Sequence, residues 1–316
     1  MAVRSWRNID WAAHEREARI EGVRVRYVDY GDGPPLLLVH GMAGSWESWL
    51  ANIPALGEKY RVIAVDLPGF GASEALPADE DFGGYVRLLE ALLDELGVGA
   101  VGLVGHSLGG LVVLSLAAAM PHRVRCLVLV SGGGAELSAL RLKAIQGVFW
   151  LFRLVLAVPG ASRLIVTTPL GRLLLSPALF DSRSISRDLL ARMVPRTVGP
   201  GFMDAVRRGG EQLGELDLAQ VVAPTLLVWG RQDRILPLAV ARDLATDLLE
   251  ARLVVLEDVG HCAMFEAPDA CNGYILDFLG VQRPDRGSPA SERADAYAWL
   301  SSRPGDSRTE RCGNDA

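Results

Sequence analysis

Gly105-His106-Ser107-Leu108-Gly109-Gly110 is the stretch on which the fold assignment turns. Behind it runs Val101–Val104, a continuous apolar run of buried-strand length, and ahead of it Leu111 opens a helical pattern that reaches Ala119. A Gly-x-Ser-x-Gly sequence between a strand and a helix is the pattern of a nucleophile elbow. The sharp turn forces the serine into a strained backbone geometry, and side chains two residues to either side would collide with it, hence glycine at 105 and 109. The turn lifts the hydroxyl clear of the sheet and aims the positive end of the helix at it. A Gly/Ser-rich turn without chemistry is the plainer alternative, and the flanking strand and helix weigh against it.

Outward from this elbow, short Val/Leu/Ile runs alternate with helical patterns, as in stacked βα units around a parallel sheet. The apolar runs are Leu36–Val39, Val62–Val65, Val101–Val104, Leu127–Val130, Leu226–Trp229 and Leu253–Leu256. Arg19 to Tyr30 alternates around a glycine and predicts an antiparallel hairpin. Helices are expected near Trp46–Leu56, Phe82–Leu96, Leu108–Ala119, Leu238–Leu249 and Pro268–Leu279. The strand rhythm stops between Gly134 and Glu215, where Leu- and Val-rich helical sequence is broken by Pro159, Pro169, Pro177, Pro195 and Pro200. The expected fold class is α/β: a mostly parallel central sheet flanked by helices, with an inserted helical lid. The core is expected at 19–133 and 216–280, the lid at 134–215, and a flexible, polar C-terminal tail at 281–316.

A serine hydroxyl needs a base before it attacks. His261 lies just past the last strand, at the same carboxyl-end edge as Ser107. His14 precedes the sheet, and His122 follows a helix of about 18 Å and belongs to the opposite edge. His106 is expected to point to the other side of the elbow. In the fold that carries this elbow the chain order is serine, acid, histidine. Asp233, shortly after the strand Leu226–Trp229, takes the acid position, holding the imidazole tautomer. Backbone N–H groups of Met42 and Leu108 are expected to meet a developing oxyanion. His40 and Gly41 form the supporting loop. Trp46, Phe149 and Trp150 are candidates for the substrate pocket.

Together these segments resemble the α/β-hydrolase family, specifically its lid-bearing esterase, lipase and C–C-hydrolase branch, over about Arg19 to Leu279. Asp66-Leu67-Pro68-Gly69-Phe70-Gly71-Ala72-Ser73 is similar to the family's structural Asp-x-Pro-Gly-x-Gly-x-Ser loop. Some relatives carry the acid after the strand that ends here at Val130, but Ser131 stands there. Ser107 excludes the relatives whose nucleophile is aspartate. C–C hydrolases of the family usually have Asn before the serine and Trp after the histidine, whereas this chain has His106 and Cys262. The resemblance therefore implies a serine hydrolase acting on carboxylic esters of apolar acyl groups through an acyl-enzyme. A C–C bond hydrolase or cofactor-free perhydrolase could share the same three residues, and a non-catalytic receptor could share the fold.

Composition narrows the partners. The net charge of −6 argues against a nucleic-acid binder. Cys126, Cys262, Cys271 and Cys312 form no CxxC pair, so neither a metal nor a redox motif is indicated, and no cofactor is expected. Cys262 is expected to be a packed thiol. A reducing, cytoplasmic setting fits. The apolar run Val148–Val158 contains Arg153 and is shorter than the roughly 20 residues of a membrane span. Between Gly134 and Glu215, however, eleven basic residues face six acidic ones. An apolar stretch of this kind is first of all a helix packed against its neighbours; the sharper expectation, from its basic balance, is that part of it admits a lipid-like acyl group or makes peripheral contact with an anionic membrane.

Overall fold

Strands covered on both faces are apolar at every position, whereas strands with one wet face alternate. The computed structural model describes residues 5–133, 143, 147, 150–151, 154–183, 185–196, 204–205, 208 and 216–281, and contains both kinds. The alternating segment is an antiparallel hairpin of β1 (Glu15–Ile20) and β2 (Val23–Tyr30). It begins at Glu15 rather than Arg19: the charged residues Glu15, Arg16 and Glu17 pair with Val28, Tyr27 and Arg26 of β2 and extend the ladder upstream. Glu21 and Gly22 close it, both at positive φ (48° and 85°), as a two-residue turn matched to strand twist requires.

The apolar runs form the central parts of β3 (Pro35–Val39), β4 (Arg61–Val65), β5 (Val101–His106), β6 (Val124–Val130), β7 (Thr225–Gly230) and β8 (Ala251–Leu256), whose polar residues lie at or near the strand ends. Their successive residues enter two different cores. Leu37, Val39, Leu103, Leu129 and Trp229 face one side, while Leu36, Leu38, Val104, Val130 and Val228 face the other. The order across the sheet is β1-β2-β4-β3-β5-β6-β7-β8. From β4 to β8 all neighbours are parallel.

The helices whose bounds lie wholly among the described residues are α1 (Ile53–Leu56), α2 (Gly83–Glu95), α3 (Leu108–Ala119), α4 (Ala161–Thr167), α5 (Pro169–Leu173), α6 (Arg187–Met193), α7 (Leu238–Asp247), α8 (Ala263–Glu266) and α9 (Pro268–Val281). Helices α2, α3 and α7 cover one face, and α1, α8, α9 and the segment from α4 to α6 cover the other. The chain leaves β3 for β4 on one side and returns to β5 on the other. Such a reversal marks the edge, beyond the carboxyl ends of the central strands, at which open α/β sheets bind ligands. His40 follows β3, Ser107 follows β5, Asp233 follows β7 and His261 follows β8, so all four lie at that edge.

The single helix expected at Trp46–Leu56 is instead a 3-10 turn, Trp46–Trp49, and the short α1. Pro54 has no N–H to offer the Leu50 carbonyl, and its ring would clash there, so one continuous helix cannot form. Between β6 and β7, Ile165, Val166, Leu189 and Leu190 anchor α4 and α6 to the core. Inside that segment the Arg172 guanidinium donates to the carbonyls of Val166, Ser182 and Ile185 (3.1, 2.8 and 3.3 Å). Phe149 and the residues from 282 onward lie outside the described residues. Among the described residues no helix is long and apolar enough to cross a membrane.

Candidate active site

The elbow is built by collision. Ser107 has φ 51° and ψ −117°, a conformation side chains rarely adopt, and it persists because the surroundings over-determine it. A Cβ at position 105 would lie 2.5 Å from both the Gly109 carbonyl oxygen and Val113 Cγ2. One at position 109 would lie 2.3 Å from the His40 carbonyl oxygen. Only glycine fits either place, and α3 can then start at Leu108 with its N-terminal end against the serine.

His261 is buried in the loop between β8 and α8. Its Nδ1 lies 2.8 Å from Asp233 Oδ2. The other oxygen, Oδ1, accepts the N–H groups of Ile235 and Leu236, each at 2.9 Å. A carboxylate oxygen only accepts, so Nδ1 carries the proton and Nε2 is left with its lone pair. Asp233 thus fixes both the tautomer and the ring.

His106 is not turned away from this pair. Its ring centroid lies 4.9 Å from that of His261, and its Nε2 is 3.1 Å from the His261 carbonyl oxygen. Parity along β5 explains the correction: Val101 and Leu103 face the α2/α3 side, so Val104 and His106 face the side of the His261 loop. Burial, with His261 adjacent, holds the His106 pKa well below its ordinary value. The ring is therefore neutral, and Nε2–H donates to the carbonyl.

Loop 40–44 closes the other side of the serine. A Cβ at Gly41 would lie 2.6 Å from His106 Nδ1 and 2.9 Å from Ser107 Cβ, so the main chain leading into Met42 runs against the elbow. Among the described residues neither the Met42 nor the Leu108 N–H has an acceptor. His40 is fully buried, accepts the Leu67 N–H at Nε2 (3.0 Å) and approaches the Gly41 carbonyl oxygen with Nδ1 (2.7 Å). Burial drops its pKa to about 4, so it braces the loop as a neutral ring. Asp66 accepts the N–H groups of Trp46 and Ala72 (2.7 and 2.9 Å), and burial pushes its pKa up to about 6.

Two of the pocket candidates, Trp46 and Trp150, lie among the described residues and sit in different surroundings. Trp46 is 1% exposed and stacks at a tilt on Trp11, centroids 5.3 Å apart, as part of the core. Trp150 is 53% exposed on the segment between β6 and β7. The sequence reading passed over Glu266, whose carboxylate accepts three backbone N–H groups around His261. No spacing rule in the sequence marks a carboxylate with that role. Burial raises the Cys262 thiol pKa well above its ordinary value, which keeps it protonated beside the histidine. Cys126, Cys262 and Cys271 are free and buried, while Cys312 lies outside the described residues.

The chain as a whole is similar to known proteins. The family model for the alpha/beta hydrolase fold matches residues 34–268. The dihydrolipoyllysine-residue acetyltransferase component of the acetoin cleaving system of Pseudomonas putida is 33% identical, over 84% of this chain and 69% of its own. A 2-hydroxy-6-oxo-6-phenylhexa-2,4-dienoate hydrolase of Comamonas testosteroni is 31% identical, over 81% of this chain and 91% of its own. Among solved structures, a membrane phospholipase A, a bacterial virulence factor, is similar at a TM-score of 0.68 and 26% identity, covering 85% of this chain and 86% of its own. With its elbow, its eight-stranded sheet and a family match spanning most of its length, the chain belongs to the α/β-hydrolase fold family and is a hydrolase.

Proposed function

We propose that the protein is a serine hydrolase that cleaves carboxylic esters of apolar acids, with Ser107 as nucleophile, His261 as base and Asp233 as its orienting acid. The observation that carries this is the Asp233–His261 pair at 2.8 Å, on a loop whose main chain rests on the side chain preceding Ser107. His261 Nε2 takes the Ser107 proton as Oγ attacks the ester carbonyl. The N–H groups of Met42 and Leu108 hold the oxyanion, and each such donor is worth about 10²–10³ in rate. The tetrahedral adduct collapses, the alcohol leaves with the proton from His261, and water repeats the sequence to free the acid.

A fluorophosphonate probe and a series of p-nitrophenyl acetate, octanoate and palmitate test the proposal. Labelling at Ser107 with turnover rising toward octanoate is the expected result. Turnover confined to acetate would remove the apolar acyl preference, and failure to label would favour a non-catalytic receptor. His106 and Cys262, where C–C hydrolases of the family usually carry Asn and Trp, support the ester reading. The 31% identity to a dienoate hydrolase favours a second one, C–C bond cleavage by the same three residues. Assays on a vinylogous dienone, and with peroxide and bromide for perhydrolysis, separate these.

The segment between β6 and β7 is proposed to act as a lid. Leu164, Leu170 and Leu173 are 61%, 77% and 61% exposed there, on arginine-rich sequence, which supports docking on an anionic bilayer. The likeness to a membrane phospholipase A points the same way. A cytoplasmic setting belongs to the same proposal, supported by the three buried free thiols.

A further inference from the structure

Three consecutive residues, Gly260, His261 and Cys262, have N–H groups that must be satisfied where the loop is buried. The structure satisfies them with two partners. Glu266 turns back from the end of α8, and its Oε2 accepts the Gly260 N–H at 3.1 Å while Oε1 accepts the Cys262 N–H at 3.0 Å. The His261 N–H goes to the Ala178 carbonyl oxygen at 2.9 Å. Ala178 belongs to the chain between α5 and α6, and two residues on the Phe180 N–H donates to Glu266 Oε2 at 2.7 Å. The crossing is tight, since a Cβ on Gly260 would lie 2.6 Å from the Phe180 nitrogen. From beneath, His106 holds the His261 carbonyl.

One carboxylate therefore joins two pieces of chain far apart in sequence, the loop of the proposed base and the strap Ala178–Phe180. An acidic side chain suits the task because a carboxylate offers several acceptor sites and no donor to repel an N–H. Burial raises the Glu266 pKa, and the three N–H groups oppose that shift. The side chain keeps its place by bonding rather than by exposure to solvent.

Resting on the proposal that Ser107 and His261 perform hydrolysis, we infer that Glu266 is a positioning residue. It sets the His261 loop and fastens the Ala178–Phe180 strap across it, so that the base and the cover of the site are held as one unit. Glu266 does not meet the substrate and acts through His261. A shift of about 1 Å in a reacting group can cost about 10²-fold in rate, so loss of this support should register in kcat.

The test compares E266A, E266Q and the wild type, with active sites counted by fluorophosphonate titration and p-nitrophenyl butyrate as substrate. For E266A, kcat per titrated site is expected to fall between about 10- and 10²-fold with KM changed less than about threefold. E266Q keeps one carbonyl acceptor and should recover part of that loss. Hydrogen exchange of peptides spanning 176–182 and 258–264 should quicken in E266A, while α3 stays protected. Unchanged kcat per titrated site in E266A, or unchanged exchange in both peptides, overturns the inference. So does equal failure of E266A and E266Q with a matching loss of folded protein, which would make Glu266 merely structural. Exchange that quickens in E266A while the wild type neither labels nor hydrolyses would leave the clamp standing and remove the hydrolytic reading, and with it the positioning role.

Discussion

The elbow at Gly105–Gly110 and the segment from α4 to α6 are both strongly apolar, yet they constrain the chain in opposite ways. At the elbow, glycine at 105, 109 and 110 is decided by would-be contacts of 2.3–2.6 Å, most of them with backbone atoms, so there sequence and geometry imply one another. In the other segment short helices present leucines outward as well as inward: Ile165 and Val166 are buried while Leu164 next to them is 61% exposed. An apolar pattern there does not say which face is covered. Steric necessity is what makes a site readable, and hydrophobicity alone is not.

The sharpest way to challenge the elbow is to keep its shape and remove its chemistry. Ser107→Ala should lower kcat by about 10⁴- to 10⁶-fold while the melting temperature stays within about 2 °C. A fall in both would mean that Ser107 is a core residue. Asp233→Asn should cost about 10⁴-fold in kcat. An amide nitrogen facing His261 would reverse the tautomer that the 2.8 Å contact selects. Activity near wild type would place the orienting group elsewhere.

Keeping the chemistry and attacking the shape gives a smaller effect, measured in stability. Gly109→Ala drives a methyl toward the His40 carbonyl oxygen and should destabilise by about 3 kcal/mol, near the upper end for overpacking. Gly160, before α4, has φ 81° and nothing within 4 Å of a would-be Cβ. Gly160→Ala should cost about 1 kcal/mol, from backbone strain alone. Urea titrations of the two variants compare the regions directly, and equal losses would erase the distinction.

The same contrast explains what could be read from the chain. The parallel strands were visible because burial on both faces leaves their central positions apolar, and Ser107, Asp233 and His261 could be placed at one edge because strand ends fix it. The broken helix at Trp46–Leu56 was missed although Pro54 marks the break. His106 was misdirected because strand parity was not carried through to the last residue of β5. Glu266 escaped because a carboxylate that serves backbone N–H groups leaves no spacing rule in the sequence. Trp46 belongs to the core rather than to a pocket wall, and Trp150 lies on a segment whose covered face the pattern does not specify.

The smallest expected stability effect probes that segment. Leu170→Ser with Leu173→Ser exchanges two side chains that are 77% and 61% exposed, so folding should change by no more than about 0.5 kcal/mol per site. Burying a leucine side chain fully is worth about 1.5–3 kcal/mol. If these leucines insert even partly into a bilayer, losing both should weaken binding to phosphatidylglycerol vesicles at least about tenfold, since 1.4 kcal/mol is a factor of ten. Turnover of p-nitrophenyl acetate in solution should be unaffected, because that substrate needs no bilayer. Co-sedimentation equal to wild type would remove the membrane from the proposed function and leave these leucines as ordinary surface residues. A large loss of stability would instead mean that another part of the molecule covers them, and the contrast with the elbow would then be one of degree.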